Sequence, residues 1–274
     1  MDKLDHLVWV VSSSFAIGDV RFAVRSTSHA FGEWLSEALG AYEVDDVEEF
    51  LYSVVAPEPP AGGMAKEFFI LYKGSSAIVR TLDPVSLGRG LLTELEGHRL
   101  HDLDDAVYVM ASVAQVRGEP VLIPTSLAPG LAKLGRRSAK LGVDVPGQFA
   151  VGVDLRSAKV IPIPWTLDLR GDPLDALTST FAWEGGDGLR FVSEPEDVRA
   201  LLVPAQEPEA TAQPARKGYA LANLTSWTLN LERTGGRGLE ALGRFVERTP
   251  SFGSTWTDAA EAMTQLAGAL EEGS

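Results

Sequence analysis

One stretch of the chain, residues 121–142, limits the accessible folds more than any other. A short apolar run, Val121–Ile123, predicts a buried central strand, and Pro124 ends it. A loop of small residues follows. Beyond the loop, apolar or small residues recur at helical spacing, at Leu131, Leu134, Ser138 and Leu141. Strand, small-residue loop and helix in this order are the layout of a phosphate-binding loop.

Composition predicts a folded globular protein. The chain has 274 residues, of which 45% are hydrophobic, so it can bury one large core or two unequal ones. No apolar run approaches the roughly 20 residues that cross a bilayer. The acidic start and the short apolar run after it predict a first strand rather than a signal peptide. The absence of cysteine excludes disulfides, thiol nucleophiles and thiolate metal sites, and it favours a cytoplasmic location.

The distribution of charge narrows the choice of partners. A formal net charge of −14 disfavours nucleic acids and anionic membranes. Basic residues are concentrated in one short segment without acids, at Lys133, Arg136, Arg137 and Lys140. They fall on the helix predicted after the loop, where they form either a solvated face or a site for an anion or an acidic peptide.

The first hundred residues alternate between strand and helix signals. Hairpins are predicted from Leu7–Val11 with Val20–Val24 and from residues 68–74 with 77–82. A helix from about residue 30 to 40 has a cap at Thr27 or Ser28 and an apolar stripe. A strand over residues 50–56 and a helix over 84–100 complete this part.

The second part combines buried strands with C-terminal helices. Strands are predicted over residues 121–123, 143–155 and 159–164, and helices over 220–231, 239–248 and 257–270. Residues 106–116 fit a buried strand or a strand–helix junction, residues 172–177 fit the start of a helix, and residues 198–205 are apolar. Residues 206–218, rich in proline, alanine and charge, predict a mobile surface loop. The break near residues 96–105 is the best candidate domain boundary.

A group of histidines and acids near that boundary is a conceivable metal site. It consists of His98, His101, Asp102, Asp104 and Asp105. Their spacing matches no recognised ligand pattern, and loops before strands often carry such residues for solubility. We therefore predict no metal site.

The order of features from about Asp105 to the C-terminus resembles that of the HPr kinase/phosphorylase-like proteins, above all the smaller members encoded with peptide-modifying enzymes, such as lasso-peptide kinases. Four segments carry the resemblance: Val107–Pro124, the loop and helix to Gly142, the strand pair ending at Pro164, and the tail Arg248–Leu266. The resemblance implies an α/β fold with a mixed sheet like the HPr kinase C-terminal domain, built around a P-loop core of the phosphoenolpyruvate-carboxykinase type. Residues 1–100 then form a smaller β-rich domain, and residues 101–274 form the core with its C-terminal helices.

The same resemblance places the family's catalytic positions on residues that lack the required chemistry. Aligned without a gap, the phosphate-binding lysine becomes Leu131 and the magnesium-binding Ser or Thr becomes Ala132. Only Gly130 remains of the loop glycines, and Pro129 lacks an N–H group. Lys133 comes two residues late, about 200° around the helix. The family's acidic pair aligns near residues 147–148, a glycine and a glutamine. We therefore expect no cofactor and no kinase activity by the family's mechanism.

Three functions are compatible with this pattern. The first is a catalytically degenerate, pseudokinase-like protein that binds or scaffolds a protein or peptide, such as a precursor peptide in peptide natural-product biosynthesis. Its β-rich domain would offer an edge strand near Arg21–Arg25 or Phe68–Leu82. The second is an enzyme with repurposed chemistry that binds another anionic ligand in the former nucleotide cleft. The candidate ligand-binding residues are Thr125, Ser126, Gly130, Lys133, Arg136 and Arg137. The third is a structural subunit of a homo-oligomer with Asp258–Leu270 as its interface.

Overall fold

The computed structural model of the protein describes residues 4, 6–17, 20–45, 50–58, 68–127, 130–131, 142–146, 149–164, 173–181, 189–190, 192–207 and 211–272. These residues form a mixed α/β fold, which confirms the predicted α/β class. The chain divides into two compact units. The first unit comprises Met1–Arg99 and Trp165–Gly186, and the second comprises Leu100–Pro164 and Asp187–Ser274.

The first unit is built on a six-stranded sheet in the order β3-β1-β2-β4-β5-β6, in which only β2 and β4 run parallel. Its strands are β1 (Val11–Ile17), β2 (Val20–Ser26), β3 (Glu43–Val44), β4 (Phe50–Val55), β5 (Phe69–Lys73) and β6 (Ser76–Thr81). Its helices are α1 (His29–Leu39), the main part of α2 (Pro84–Asp102) and α3 (Pro173–Thr180).

Helices cover the apolar face of this sheet, as the periodicities predict. Helix α1 begins at Ser28, whose side chain accepts the N–H of Phe31 at 3.3 Å, so the predicted cap is confirmed. The predicted stripe is buried in the core: Phe31, Trp34, Leu35, Ala38 and Leu39. Helix α2 packs on β6, the last strand in the order of this sheet. A Cβ on Gly90 of α2 would lie 2.5 Å from a methyl carbon of Val79, so the glycine allows this close packing.

The prediction for the first strand is wrong in position. The apolar run suggested residues 7–11, but β1 spans Val11–Ile17. Pairing with β2 decides the register, because Phe15 lies opposite Phe22 and their rings stack with centroids 5.4 Å apart. Alternate residues from Val11 to Ile17 then face the core, while Val8 remains 77% exposed.

The two predicted edge segments differ in their place in the sheet. Arg21–Arg25 lies in β2, which pairs with β1 on one side and β4 on the other, so the prediction of an edge there is wrong. Strand β6, within the predicted Phe68–Leu82 hairpin, lies at the edge of the sheet.

The second unit contains a seven-stranded mixed sheet in the order β13-β10-β8-β9-β14-β16-β15 and a three-stranded sheet in the order β12-β11-β7. Its strands are β7 (Ala106–Val109), β8 (Ala111–Val116), β9 (Glu119–Pro124), β10 (Val143–Pro146), β11 (Val151–Asp154), β12 (Val160–Ile161), β13 (Leu189–Arg190), β14 (Ala200–Pro204), β15 (Gln213–Pro214) and β16 (Ser251–Ser254). Its helices are α4 (Lys217–Ser226), α5 (Leu231–Arg248) and α6 (Ala259–Glu272).

Strand β9 is the middle strand of the seven-stranded sheet, which confirms the predicted central strand. Val121, Leu122 and Ile123 are fully buried. A two-residue turn with positive φ at Arg117 (55°) and Gly118 (83°) connects β8 to β9, which is the backbone that a tight antiparallel hairpin requires.

Three predictions in this unit need adjustment. Residues 106–116 do not form one strand, since the chain changes from the three-stranded to the seven-stranded sheet at Met110. The stretch predicted as a loop over residues 206–218 contains β15, which pairs with β16. The predicted division at residue 100 assigned residues 165–186 to the second domain, but they belong to the first unit. Leu177 of α3 and Phe181 are buried in the core of that unit, and the Phe181 ring meets the Phe69 ring edge-on at 5.2 Å.

A buried asparagine joins β7 to the start of α5. Asn230 is fully buried and uses its whole amide group: its Nδ2 donates to the carbonyls of Leu103 (2.7 Å) and Ala106 (2.8 Å), and its Oδ1 accepts the N–H of Tyr108 (2.9 Å). The Leu229 N–H donates to the Tyr108 carbonyl at 2.8 Å. These bonds satisfy the outer backbone groups of β7, which otherwise would be the open edge of its sheet.

We predict that Asn230→Ala destabilises the protein by about 3 kcal/mol, because it leaves several buried polar groups without partners. Urea unfolding followed by circular dichroism measures this loss. Asn223→Ala is the matched control, since the amide of Asn223 bonds only within α4, to the Tyr219 carbonyl at 3.0 Å. An equally small effect of both substitutions would contradict the role assigned to Asn230.

Candidate functional site

Three adjacent parallel strands of the second unit end at one edge of the sheet. Strands β9, β14 and β16 run parallel and terminate at Pro124, Pro204 and Ser254. In open α/β sheets ligands bind beyond the carboxyl ends of such strands. The loop predicted to resemble a phosphate-binding loop follows β9 and therefore lies at this edge.

The described part of that loop is packed into the hydrophobic core. Residues Thr125–Leu127 form a short 3-10 helix rather than a wide glycine-rich loop. Leu127 and Leu131 are 4% and 0% exposed, and they belong to one apolar cluster with α6 residues, among them Met263 and Leu266. The position that the resemblance assigns to a phosphate-binding lysine is therefore occupied by a buried leucine side chain.

Gly130 serves packing in this arrangement. A Cβ at Gly130 would lie 2.7 Å from the Cβ of Ala259, the first residue of α6. Real side chains do not approach so closely, so the glycine allows the loop to touch the helix. The carboxylate of Asp258 caps α6 by accepting the N–H of Glu261 at 2.9 Å. Gly130 thus lies against helix α6 rather than facing an open cleft.

The structure brings together only part of the predicted ligand-binding set. Thr125, Ser126 and Gly130 lie on the loop after β9. Thr125 is half-buried, and its hydroxyl donates to the carbonyl of Phe149 at 2.5 Å. Ser126 is exposed. Lys133, Arg136 and Arg137 lie outside the described residues.

A shallow pocket of about 190 Å³ lies farther along the same edge. Its walls come from the end of β14, the segment from β15 to the start of α4, and Gly253 of β16. Its polar side chains include Gln206, Glu207, Arg216 and Tyr219. One acid and one base give this pocket no net charge, in contrast to the positive surroundings that bind phosphate.

The histidines and acids near residue 100 do not form a metal centre. Within the part of the chain that the structure describes, no group of three or more His, Asp or Glu could hold a metal ion. Asp102 pairs with Arg233 at 3.1 Å, and this hydrogen bond, with one from His101, holds the pKa of Asp102 below its usual value. The other two acids also have partners: Asp104 lies 3.6 Å from Arg237, and Asp105 accepts the hydroxyl of Tyr108 at 2.9 Å.

His98 takes part in a polar cluster of the first unit that the sequence did not reveal. The Tyr52 hydroxyl lies 3.1 Å from His98 Nε2 and 3.5 Å from a Glu94 carboxylate oxygen. Lys73 Nζ lies 3.0 Å from the same oxygen, and the His98 ring stacks on Phe50 at 4.6 Å. Three elements, β4, β5 and α2, supply these side chains, so no local pattern could have identified them.

Electrostatics show what this cluster does. Burial, and then the nearby Glu94 carboxylate, raise the pKa of Tyr52 above its ordinary value. The raised pKa favours the protonated phenol, which can donate a hydrogen bond within the cluster. The cluster attaches α2 to the ends of β4 and β5.

Comparisons with known proteins leave the family open. No protein-family model matches the chain, and no curated protein or solved structure is significantly similar to it. Among the described residues no helix is both long and apolar enough to span a bilayer.

We predict that Leu131→Lys destabilises the protein by roughly 3–5 kcal/mol, because it exchanges a buried apolar side chain for a buried charge. A shift of the urea-unfolding midpoint measures the effect. Ser126→Lys places the same charge on an exposed position of the same loop and is expected to change the stability by less than about 0.5 kcal/mol. If Leu131→Lys were as harmless as this control, the loop would be open to solvent, as in a phosphate site.

Proposed function

We propose that the protein is a non-catalytic relative of the HPr kinase/phosphorylase-like proteins and acts as a binding or scaffolding partner for another protein or a peptide. The observation that carries the proposal is the complete burial of Leu131 at the position of the phosphate-binding lysine. The resemblance implies that the partner is a precursor peptide in peptide natural-product biosynthesis.

The argument against phosphoryl transfer is electrostatic. The reaction needs a positive charge on the β and γ phosphates and a hydroxyl or carboxylate ligand for Mg²⁺, since positioning and charge stabilisation supply nearly all of the catalysis. A leucine in the core provides neither.

The alternative, an enzyme that uses the former nucleotide cleft for another anion, has less support. Its candidate Thr125 already donates its hydroxyl to the Phe149 carbonyl, and Gly130 is packed against Ala259. A new anion would have to compete with both contacts. We therefore favour the binding function over repurposed chemistry.

Calorimetric titration with ATP and MgCl₂ tests the proposal. We expect no saturable heat up to about 1 mM nucleotide, because the described residues of the loop after β9 offer no lysine or arginine to the phosphates. A dissociation constant in the micromolar range would contradict the proposal. Parallel titrations with inorganic phosphate and pyrophosphate address the alternative: tight binding of either anion without ATP binding would favour repurposed chemistry.

A further inference from the structure

Strand β6 is the longest edge strand in the part of the chain that the structure describes. Four of the six edge strands are only two residues long: β3, β12, β13 and β15. A fifth, β7, is completely buried and is covered by the segment around Asn230. Short or covered edges prevent unwanted pairing, and β6, with six residues, lacks this protection.

The side chains of β6 are also accessible. The first three residues of the strand and Arg80 are exposed, with Ile78 39% exposed. Phe68 (46%) and Leu82 (42%), which flank β5 and β6, are exposed as well. The remaining exposed large apolar residues among those described are Val8, Val10 and Leu239. Half of the exposed large apolar residues are thus gathered on one hairpin, as is typical of an interaction surface.

The charge on this hairpin has one sign. Neither β5 nor β6 contains an acidic residue, although the chain carries 38 acids against 24 basic residues. Lys73 is paired with Glu94, whereas the Arg80 guanidinium lies over the Phe68 ring, 4.4 Å from its centroid. An acidic side chain of a partner placed beside Arg80 would contact the guanidinium charge next to the apolar ring of Phe68.

The edge is held rigid from behind. Val79 faces the core and touches α2 at Gly90, where no side chain separates helix and strand. The pairing with β5 contains a bulge. Leu71 lies opposite Val79 and Tyr72 lies opposite Ala77, so Ile78 is the extra residue of β6. Such a bulge redirects side chains, and Ile78 is exposed here. A preformed strand loses little conformational entropy when another strand pairs with it.

We infer that β6 is the docking strand for an extended segment of the partner whose side chains combine apolar residues with acids. This inference rests on the proposed binding function and names its surface. The partner's backbone pairs with the outer N–H and C=O groups of β6, its apolar side chains cover Ile78, Leu82 and Phe68, and an acid pairs with Arg80.

The test uses the full-length protein and two fluorescein-labelled peptides of about eight residues, the length of an ordinary strand. One peptide alternates valine with glutamate, and the other alternates valine with lysine. Fluorescence anisotropy is expected to show saturable binding of the glutamate peptide, with a dissociation constant between about 10 μM and 1 mM. Hydrogen–deuterium exchange of the saturated complex is expected to slow within residues 76–81.

Two variants connect the binding to β6. Ile78→Glu is expected to weaken the glutamate peptide about tenfold through lost apolar contact and added repulsion. Arg80→Glu is expected to reverse the preference, so that the lysine peptide binds about two- to fivefold more tightly than the glutamate peptide. Leu239→Glu is the matched control, because Leu239 is 44% exposed on α5 and is not part of the hairpin.

Equal binding of the glutamate peptide to the parent protein and both β6 variants would overturn the inference, as would the absence of binding up to 1 mM. A homodimer that dissociates on Ile78→Glu, seen by light scattering, would also overturn it, since a second copy would then occupy β6. None of these outcomes affects the ATP titration, so failure of the docking strand and failure of the proposed function can be told apart.

Discussion

The contact between the loop after β9 and helix α6 fills the space beyond the central strand with apolar side chains. Leu127 and Leu131 reach the cluster formed by α6, and Gly130 touches Ala259 closely enough that no side chain would fit. In a phosphate site this space must remain open and polar. Here the free energy gained from burying two leucines, of the order of 2 kcal/mol each, holds the loop against the helix. A phosphate group would have to break this packing before it could reach the backbone.

Sequence patterns predict the structure best where a few neighbouring residues decide the secondary structure and the burial of a segment. The apolar stripe of α1, its serine cap and the buried run Val121–Ile123 of β9 each follow from a few neighbouring residues, and the structure confirms them. Tertiary pairing decided the rest. The serine-rich β1 is a strand because Phe15 pairs with Phe22, although a more apolar run lies just before it. The break at Met110 depends on which sheet each half of the stretch joins, and no local property encodes that choice.

The loop after β9 could be located from the sequence, but its packing could not. The strand before the loop and the leucine at position 131 are readable in the sequence. The sequence could not tell that the leucine at the lysine position points into the core, because α6 begins more than a hundred residues later. The cluster around Tyr52 escaped prediction for the same reason, since its members come from three elements that meet only in the folded unit.

The net negative charge of the chain does not exclude an acidic partner, because electrostatic repulsion is screened over short distances in salt. At physiological ionic strength charges are screened within about 8 Å, so most of the 38 acids act weakly on a segment at β6, whereas Arg80 lies within contact distance of it. Backbone pairing along a strand edge and apolar contact at Ile78 depend little on salt. Long-range repulsion therefore slows the encounter, while short-range contacts decide the affinity. We therefore expect a partner that docks on β6 as proposed to be selected by its local pattern of side chains and by its ability to become an extended strand, not by its overall charge.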